Sequence, residues 1–499
     1  MPIDNLDAEK RATWLATQHA VFAELTALFA AGAKDEDARL WQAFDASERG
    51  RAKSLRYAAN LTTDSDGDVP GEPSSARYQE LMLRISALAR PVQAGEAPQL
   101  SMAALEDMAH GNEQPAGDSS RIELQRRLAT LDATAIEYAT ARDEMYAFVI
   151  DSAHIHVAHL GSRAKIASAA SALYERARNP EAADADVQRA AAKLAELVLW
   201  PITSEITRRR VILIPDDALH TVPFALLPWS AEKDSPPLIE RAELSVMPST
   251  LFVMHPRASS TVHATAPRFE LIGDPVFRAS DWQRDCAGDG DTAASTTTPA
   301  ARRSLPRLPG SRKEVLAIAD LAHRVSPTAH VNTRLGCEAT PTALRAAAAT
   351  SPELLHIATH GYVDAYRPRL SALALTQDSA ANGGASSVGL LDILNMRVTS
   401  RLVVLSACDT SRGRLLPGEG VLGPAQAFLQ AGAASVIASY WRIPDERTAP
   451  FMEAFYRYLL VDRLSAAAAL RRTQLDYARD RAAHDWAAFT LYGWPDTAL

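Results

Sequence analysis

Two side chains in the C-terminal third of the chain are placed to do covalent chemistry. The run LLHIATHG ends in His360 followed by Gly361, and LVVLSACDTSRG delivers Cys408 to a turn of Asp409, Thr410, Ser411, Arg412 and Gly413. The two lie 48 positions apart (408 − 360 = 48). Each closes a short apolar run of strand length, so parallel neighbouring strands would bring both to one edge of a sheet, where ligands of such sheets sit. An imidazole there can activate a thiol and protonate a leaving amine. The backbone N–H groups of Gly361 and Cys408 are the natural donors to a developing oxyanion. Taken alone, each residue also has a plainer reading. Free cysteine is among the most buried residue types, and a histidine before glycine can be a satisfied loop residue.

The other candidates are weaker. His356 lies four residues before His360 on the same strand and reads as a packed core histidine. His220, after VILIPDDA, has no nucleophile near it in sequence. Cys286 falls in a linker-like stretch and Cys337 in the turn LGCEAT. No CxxC pair, HExxH or GxxxxGK[ST] occurs, so no metal site and no cofactor is expected. GEGVLG (418–423) lacks the preceding strand of a dinucleotide site and reads as a turn that opens the next helix.

The elements that must position His360 and Cys408 form a second α/β series. SRKEVLAIADLAH is a helix, AHVNTR a short strand, and TPTALRAAAA a helix with Pro341 at its first turn after Thr340. LLHIATHG, RLVVLSAC and ASVIASYW are buried-type strands; GPAQAFLQAG, APFMEAFYRYLL and LSAAAALRRTQLDYARD are helices. An earlier series starts near residue 133. IEYATARDEMYAFVIDSAHIHVAHLG has the texture of hairpins, and VILI is a buried strand ending at Pro215. Upstream, ATWLATQHAVFAELTALFAAG, DEDARLWQAFDASERGRAKSLRYAANL and two later segments are helical, without a fixed repeat period. Residues 62–76, 110–120 and 284–306 are poor in apolar residues and read as loops or linkers. Boundaries follow at 1–132, 133–278, 279–308 and 309–499.

The 499 residues are 47% hydrophobic and 22% charged, an ordinary globular balance. A net charge of −8 argues against direct nucleic-acid binding. Three widely spaced cysteines suggest no disulfide framework and fit a reducing cytosol. The start, MPIDNLDAEKRATW, lacks the pattern of a secretory signal, and no stretch approaches the about 18 apolar residues of a membrane helix. A soluble, cytoplasmic protein with no membrane contact is expected.

The motifs, taken in order, resemble the CHAT family, the caspase-like domain often found behind tetratricopeptide repeats. The matching pieces are VILIPDDALHTVPFALLP, RLPGSRKEV, EATPTALRAA, LLHIATHG, LVVLSACDTSRG and GEGVLGPAQAFLQAGAASVIASYWRIPDERTAPFMEAFYRYLL, ending with DWAAFTLYG. The resemblance covers about residues 133–499. It implies a clan CD cysteine peptidase related to caspases and separase. The fold it implies is a three-layer α/β/α arrangement with a mostly parallel sheet. An inactive caspase-like half (133–278) would pack on a catalytic half (309–499), with helices (1–132) in front that look like a repeat remnant. Cys408 matches the nucleophile, His360 the catalytic histidine, and Asp445 in WRIPDERTA the acid that would select a basic P1 residue. The plainer role for Asp445 is a helix N-cap. The resemblance further implies a protein substrate, latency until a partner or sensor triggers it, and a place in bacterial defence or programmed death. Arg302 and Arg303 would be a processing site under that reading. A non-catalytic scaffold and a hydrolase or transferase acting on something other than protein remain as alternatives.

Overall fold

The computed structural model describes residues 22–30, 37–51, 118–254, 266–286, 305–364, 371–377, 385–416 and 420–499. The loops expected at 62–76 and 110–117, and the pair Arg302–Arg303, lie outside the described residues; Asp118 to Ser120 begin a helix.

The hairpin texture after residue 133 becomes β1 (Ala133–Ala141), β2 (Glu144–Ile150) and β3 (Ile155–Ser162). They are followed by β4 (Arg210–Ile214), β5 (Glu243–Val246), β6 (Arg268–Gly273), β7 (His330–Leu335) and β8 (Leu354–Ala358). Then come β9 (Gly361–Tyr362), β10 (Ala372–Thr376), β11 (Ala385–Gly389), β12 (Leu402–Ser406), β13 (Arg414–Leu416), β14 (Gly420–Leu422), β15 (Ser435–Ser439) and β16 (Phe489–Gly493). Eleven of these make one sheet in the order β3-β2-β1-β4-β5-β16-β15-β12-β8-β6-β7. The β1–β3 hairpins and the β15–β16 pair are antiparallel; every other pairing in that sheet is parallel. The earlier and later strand series meet at β5 and β16, where Tyr492 pairs with Val246. The remaining strands form a three-stranded sheet, β11-β10-β9, and the hairpin β13-β14 that follows the Cys408 turn.

Every residue of β8, β12 and β15 is buried, as their mainly apolar runs suit strands covered on both faces. Helix Pro309–Val325 lays Val315, Ile318, Ala319 and Ala322 on the sheet at helical spacing. On β4 the alternation is clean: Val211 and Leu213 enter the main core, while Ile212 and Ile214 face the other side. There they meet Leu40, Trp41 and Phe44 of helix Asp37–Gly50 and Leu124 and Leu128 of helix Asp118–Leu131. The helices upstream of the sheet are thus docked on it. The architecture expected from the sequence, a mostly parallel sheet between helical layers preceded by helices, is the one found.

One expectation is overturned. Cys286 and Cys337 are joined in a disulfide, with their Cα atoms 5.5 Å apart, and Cys408 is the free cysteine. Cysteine usage therefore no longer points to a reducing compartment. Of the linker expected over 284–306, the described residues are 284–286, 305 and 306. Arg284 and Asp285 finish helix Ala279–Asp285, while Leu305 and Pro306 lead into helix Pro309–Val325.

Candidate active site

The spacing of 48 becomes geometry through β8 and β12. They are parallel neighbours with Val404 opposite His356 and Ser406 opposite Ala358, an offset of 48 (404 − 356). Cys408 and His360 each lie two residues beyond the last pair, and both line one cleft. The Thr359 N–H still donates to the Ser406 carbonyl at 3.2 Å, so the strands remain together as they leave the sheet.

The turn after Cys408 is pinned from β15. The Thr410 hydroxyl donates to the Ala407 carbonyl at 3.2 Å and accepts from the Ser439 N–H at 3.1 Å. The Ser439 hydroxyl donates to the same Ala407 carbonyl at 2.7 Å, and the Ser411 N–H donates to the Ser439 carbonyl at 2.9 Å. Asp409 takes the left-handed conformation (φ 57°), which a short polar side chain tolerates better than most. These bonds leave the Cys408 side chain half-buried at the head of a cleft.

His360 is 7% exposed and packs 5.2 Å from the Phe277 ring. Its Nε2 lies 2.8 Å from the Pro306 carbonyl oxygen. A carbonyl only accepts, so Nε2 carries the hydrogen, and in the neutral ring Nδ1 is left as the basic nitrogen. Burial lowers the imidazole pKa; the Pro306 hydrogen bond opposes this, while Arg442 adds to it. Burial also pushes the Cys408 thiol up to about 11, with Arg442 opposing and Asp409 and Asp445 assisting. Both groups are therefore neutral at rest. Among the described residues, no hydrogen bond joins the thiol to the imidazole.

One cleft of about 530 Å³, open to solvent, contains Cys408, His360, Arg442, Asp445 and Glu314 in its walls. Asp445 opens helix Asp445–Tyr456, whose N-cap position is Pro444. Its carboxylate instead accepts from the Gly310 N–H and from Ser311, at the start of helix Pro309–Val325. Asp445 is thus a cap, but for a different helix than its sequence position suggests. Burial raises its pKa, and those backbone donors oppose the shift. Beneath the cleft, fully buried His356 lies 3.0 Å from the Tyr456 hydroxyl and 3.0 Å from Glu314 Oε1. His220 does not line this cleft; it borders a small cavity with Thr410 and Ser411 of the Cys408 turn.

Sequence reasoning missed Pro306, Arg442 and Glu314. Arg442 follows Trp441 at the end of the β15 run, whereas Pro306 lies in a stretch whose composition reads as a linker. Among the described residues, no cluster of three or more His, Cys, Asp or Glu is arranged to hold a metal ion, and no helix is long and apolar enough to cross a membrane.

A thiol and an imidazole just beyond the ends of adjacent parallel strands define an α/β fold with a cysteine and a histidine at its carboxyl edge. The family model for the CHAT domain matches residues 188–494, and the chain belongs to the CHAT domain family. It is 27% identical to tetratricopeptide repeat protein 28 of Mus musculus over 328 residues, and 26% identical to its Homo sapiens counterpart over the same length. Those matches cover 57% of this chain and only 12% of either relative. Among solved structures, it is similar to the Saccharomyces cerevisiae separase–securin complex (TM-score 0.47, 10% identity, 97% of this chain and 40% of that one). It is also similar to the Arg-specific cysteine proteinase gingipain R (TM-score 0.36, 10% identity, 67% and 75%).

Proposed function

We propose that the chain is a cysteine endopeptidase in which Cys408 is the nucleophile and His360 the general acid and base. The observation that carries this reading is that Cys408 and His360, each just beyond the paired end of one of two neighbouring parallel strands, line one cleft. The Pro306 carbonyl supplies the third group, orienting the base as nucleophile–base pairs require. Cys408 Sγ bonds to the scissile carbonyl carbon as its proton passes to His360 Nδ1. The imidazolium then protonates the departing amine, the C–N bond breaks, and water attacks the thioester with His360 as base. The Gly361 and Cys408 amides would hold the oxyanion. Asp445, half-buried in the same cleft, would select a basic P1 side chain.

Because the thiol is neutral at rest, a resting chain of low activity, raised by a partner or sensor, fits this reading. A protein substrate and a role in bacterial defence are what the family resemblance suggests for it. Wild type and Cys408→Ala are incubated with a peptide library, and products are read by mass spectrometry. Cleavage by wild type alone supports the proposal; equal cleavage by both sinks it.

The absence of a thiol–imidazole hydrogen bond also favours a second reading, a scaffold that binds partners without catalysis. A Cys408 that an electrophilic peptide never labels, under any activating condition, would favour it.

A further inference from the structure

The orientation of His360 depends on one carbonyl, and what holds that carbonyl extends well beyond the cleft. Proline has no N–H, so Pro306 cannot fix itself through its own backbone donor. The next residue, Arg307, places both arms of its guanidinium on Asp274: Nε lies 2.7 Å from Oδ1 and Nη2 2.8 Å from Oδ2. Asp274 has a 3% exposed side chain and takes a left-handed conformation (φ 52°) directly after β6, the strand beside β8. Its own N–H donates to the Ser311 hydroxyl at 2.8 Å, and Arg312 adds a second guanidinium at 2.6 Å. A planar fork on a buried carboxylate is a strong, directional contact, unlike a surface ion pair.

The third contact of Arg307 runs outward. Its Nη1 pairs with Asp285, the last residue of helix Ala279–Asp285. The neighbouring residue, Cys286, is bonded to Cys337 in the turn after β7. Arg284 and Asp285 are exposed and pair with each other, so beyond the Arg307 contact the nearest fixed point of this helix end is that covalent tie. The linkage runs from disulfide to Asp285, Arg307, Pro306 carbonyl and His360 Nε2.

We propose that Arg307 is a positioning residue of the site and that the Cys286–Cys337 disulfide latches it, so that the redox state of this cysteine pair controls how His360 is presented to Cys408. Opening the latch needs a dithiol reductant. Its two thiols become a disulfide, Cys286 and Cys337 become two thiols, and two electrons and two protons pass between them. Cys408 is the remaining cysteine and is already reduced, so a dithiol acts on the pair alone. With the pair reduced, the tie beside Asp285 is gone while Arg307 keeps its fork on Asp274; the Pro306 carbonyl is held less tightly, and the imidazole exchanges tautomers more readily.

The inference rests on His360 being the acid–base group, and its test reads the ring directly. In the full chain, the unreduced protein is digested and mapped for a Cys286–Cys337 cross-linked peptide. The His360 tautomer is then followed by 15N NMR in wild type, before and after dithiol treatment, and in Cys286→Ser/Cys337→Ser. The Nε2–H form is expected alone in the oxidised chain and mixed with Nδ1–H in the reduced chain and the double variant. Arg307→Gln should resemble the reduced state, and Arg307→Lys should recover little, because a point charge cannot replace the fork. If the peptidase reading holds, kcat falls at least threefold on reduction with KM unchanged. A tautomer that follows the latch in a chain without peptidase activity retains the positioning role and removes the peptidase reading. Absence of the cross-linked peptide, or an identical His360 ring in both redox states, overturns the proposal.

Discussion

The carbonyl oxygen of Cys408 lies so close to Gly361 that a methyl group built on that glycine would sit 2.3 Å from it. The atom it would strike is backbone, and the turn that carries it is pinned by Thr410, Ser411 and Ser439. Neither side can give way cheaply. Gly361→Ala is expected to cost about 1–3 kcal/mol of stability, the usual range for overpacking. It should also displace Cys408, so labelling of the thiol by an electrophilic peptide should fall further than the loss of folded protein explains. Thermal unfolding and labelling rates measured on one preparation check this. A variant with wild-type stability and labelling would mean that the turn is soft.

The hydroxyl of Thr410 is the hinge pin of that turn, since it serves Ala407 on one side and Ser439 on the other. Thr410→Ser keeps both bonds. Thr410→Val keeps the shape but leaves the buried Ser439 N–H without its acceptor, at about 1–3 kcal/mol. Stability and peptide cleavage are therefore expected to survive Thr410→Ser and to drop in Thr410→Val. Equal behaviour of the two variants would remove the hydroxyl from the account.

Much of this site was legible in the sequence because its main pair is held by strand register. LLHIA and LVVLS are apolar but for His356 and Ser406, which marks them as central parallel strands, and His360 and Cys408 each follow two residues after their last paired residues. The rest depends on contacts with no local period. Cysteine connectivity cannot be deduced from a spacing of 51, so Cys286 and Cys337 looked unrelated. Asp445 looked like the cap of its own helix, yet its carboxylate serves Gly310, 135 positions away. Pro306 stood in a polar, low-complexity stretch and acts through its carbonyl, an atom every residue type carries.

The capping contact of Asp445 and the substrate selection proposed for it separate on its charge. Asp445→Asn keeps an oxygen that can accept from the Gly310 N–H but removes the negative charge from the cleft. Stability should change by no more than about 1 kcal/mol, the usual worth of a charge at a helix N-terminus. Preference for a basic over a neutral P1 residue should fall at least tenfold in kcat/KM. An unchanged P1 preference would leave Asp445 a capping residue only.

The resting ionisation of Cys408 gives a pH prediction. Its thiol is pushed up from the ordinary 9.0 to about 11, chiefly by burial. Two pH units correspond to about 100-fold less thiolate at neutral pH than an ordinary thiol carries. Alkylation by iodoacetamide should therefore be slow at pH 7.5 and still rising above pH 9. The raised value also favours the folded state while the thiol is neutral, and that contribution is lost as pH climbs from 9 towards 11. A rate plateau below pH 8 would indicate a preformed thiolate–imidazolium pair instead.

The upstream helices join the sheet through a buried charge, and this joint can be tested separately. Arg51, at the end of helix Asp37–Gly50, lies 3.3 Å from Glu137 on β1 and donates to the Pro215 carbonyl at 3.1 Å. Glu137 is fully buried and also accepts from the Ser47 hydroxyl at 2.5 Å. Burial, followed by the nearby Glu48, raises its pKa; Arg51 is the main group opposing them, with the Ser47 hydroxyl adding to its effect. Arg51→Met takes away that counter-charge and should cost about 3–5 kcal/mol, as breaking one side of a buried pair does. Adding Glu137→Gln removes the stranded charge and should recover most of the loss. The single variant should also expose helix Asp37–Gly50 to limited proteolysis before the sheet is cut, because the joint opens while the main core persists. A double variant no more stable than Arg51→Met would mean that Glu137 was never held in its charged form by Arg51.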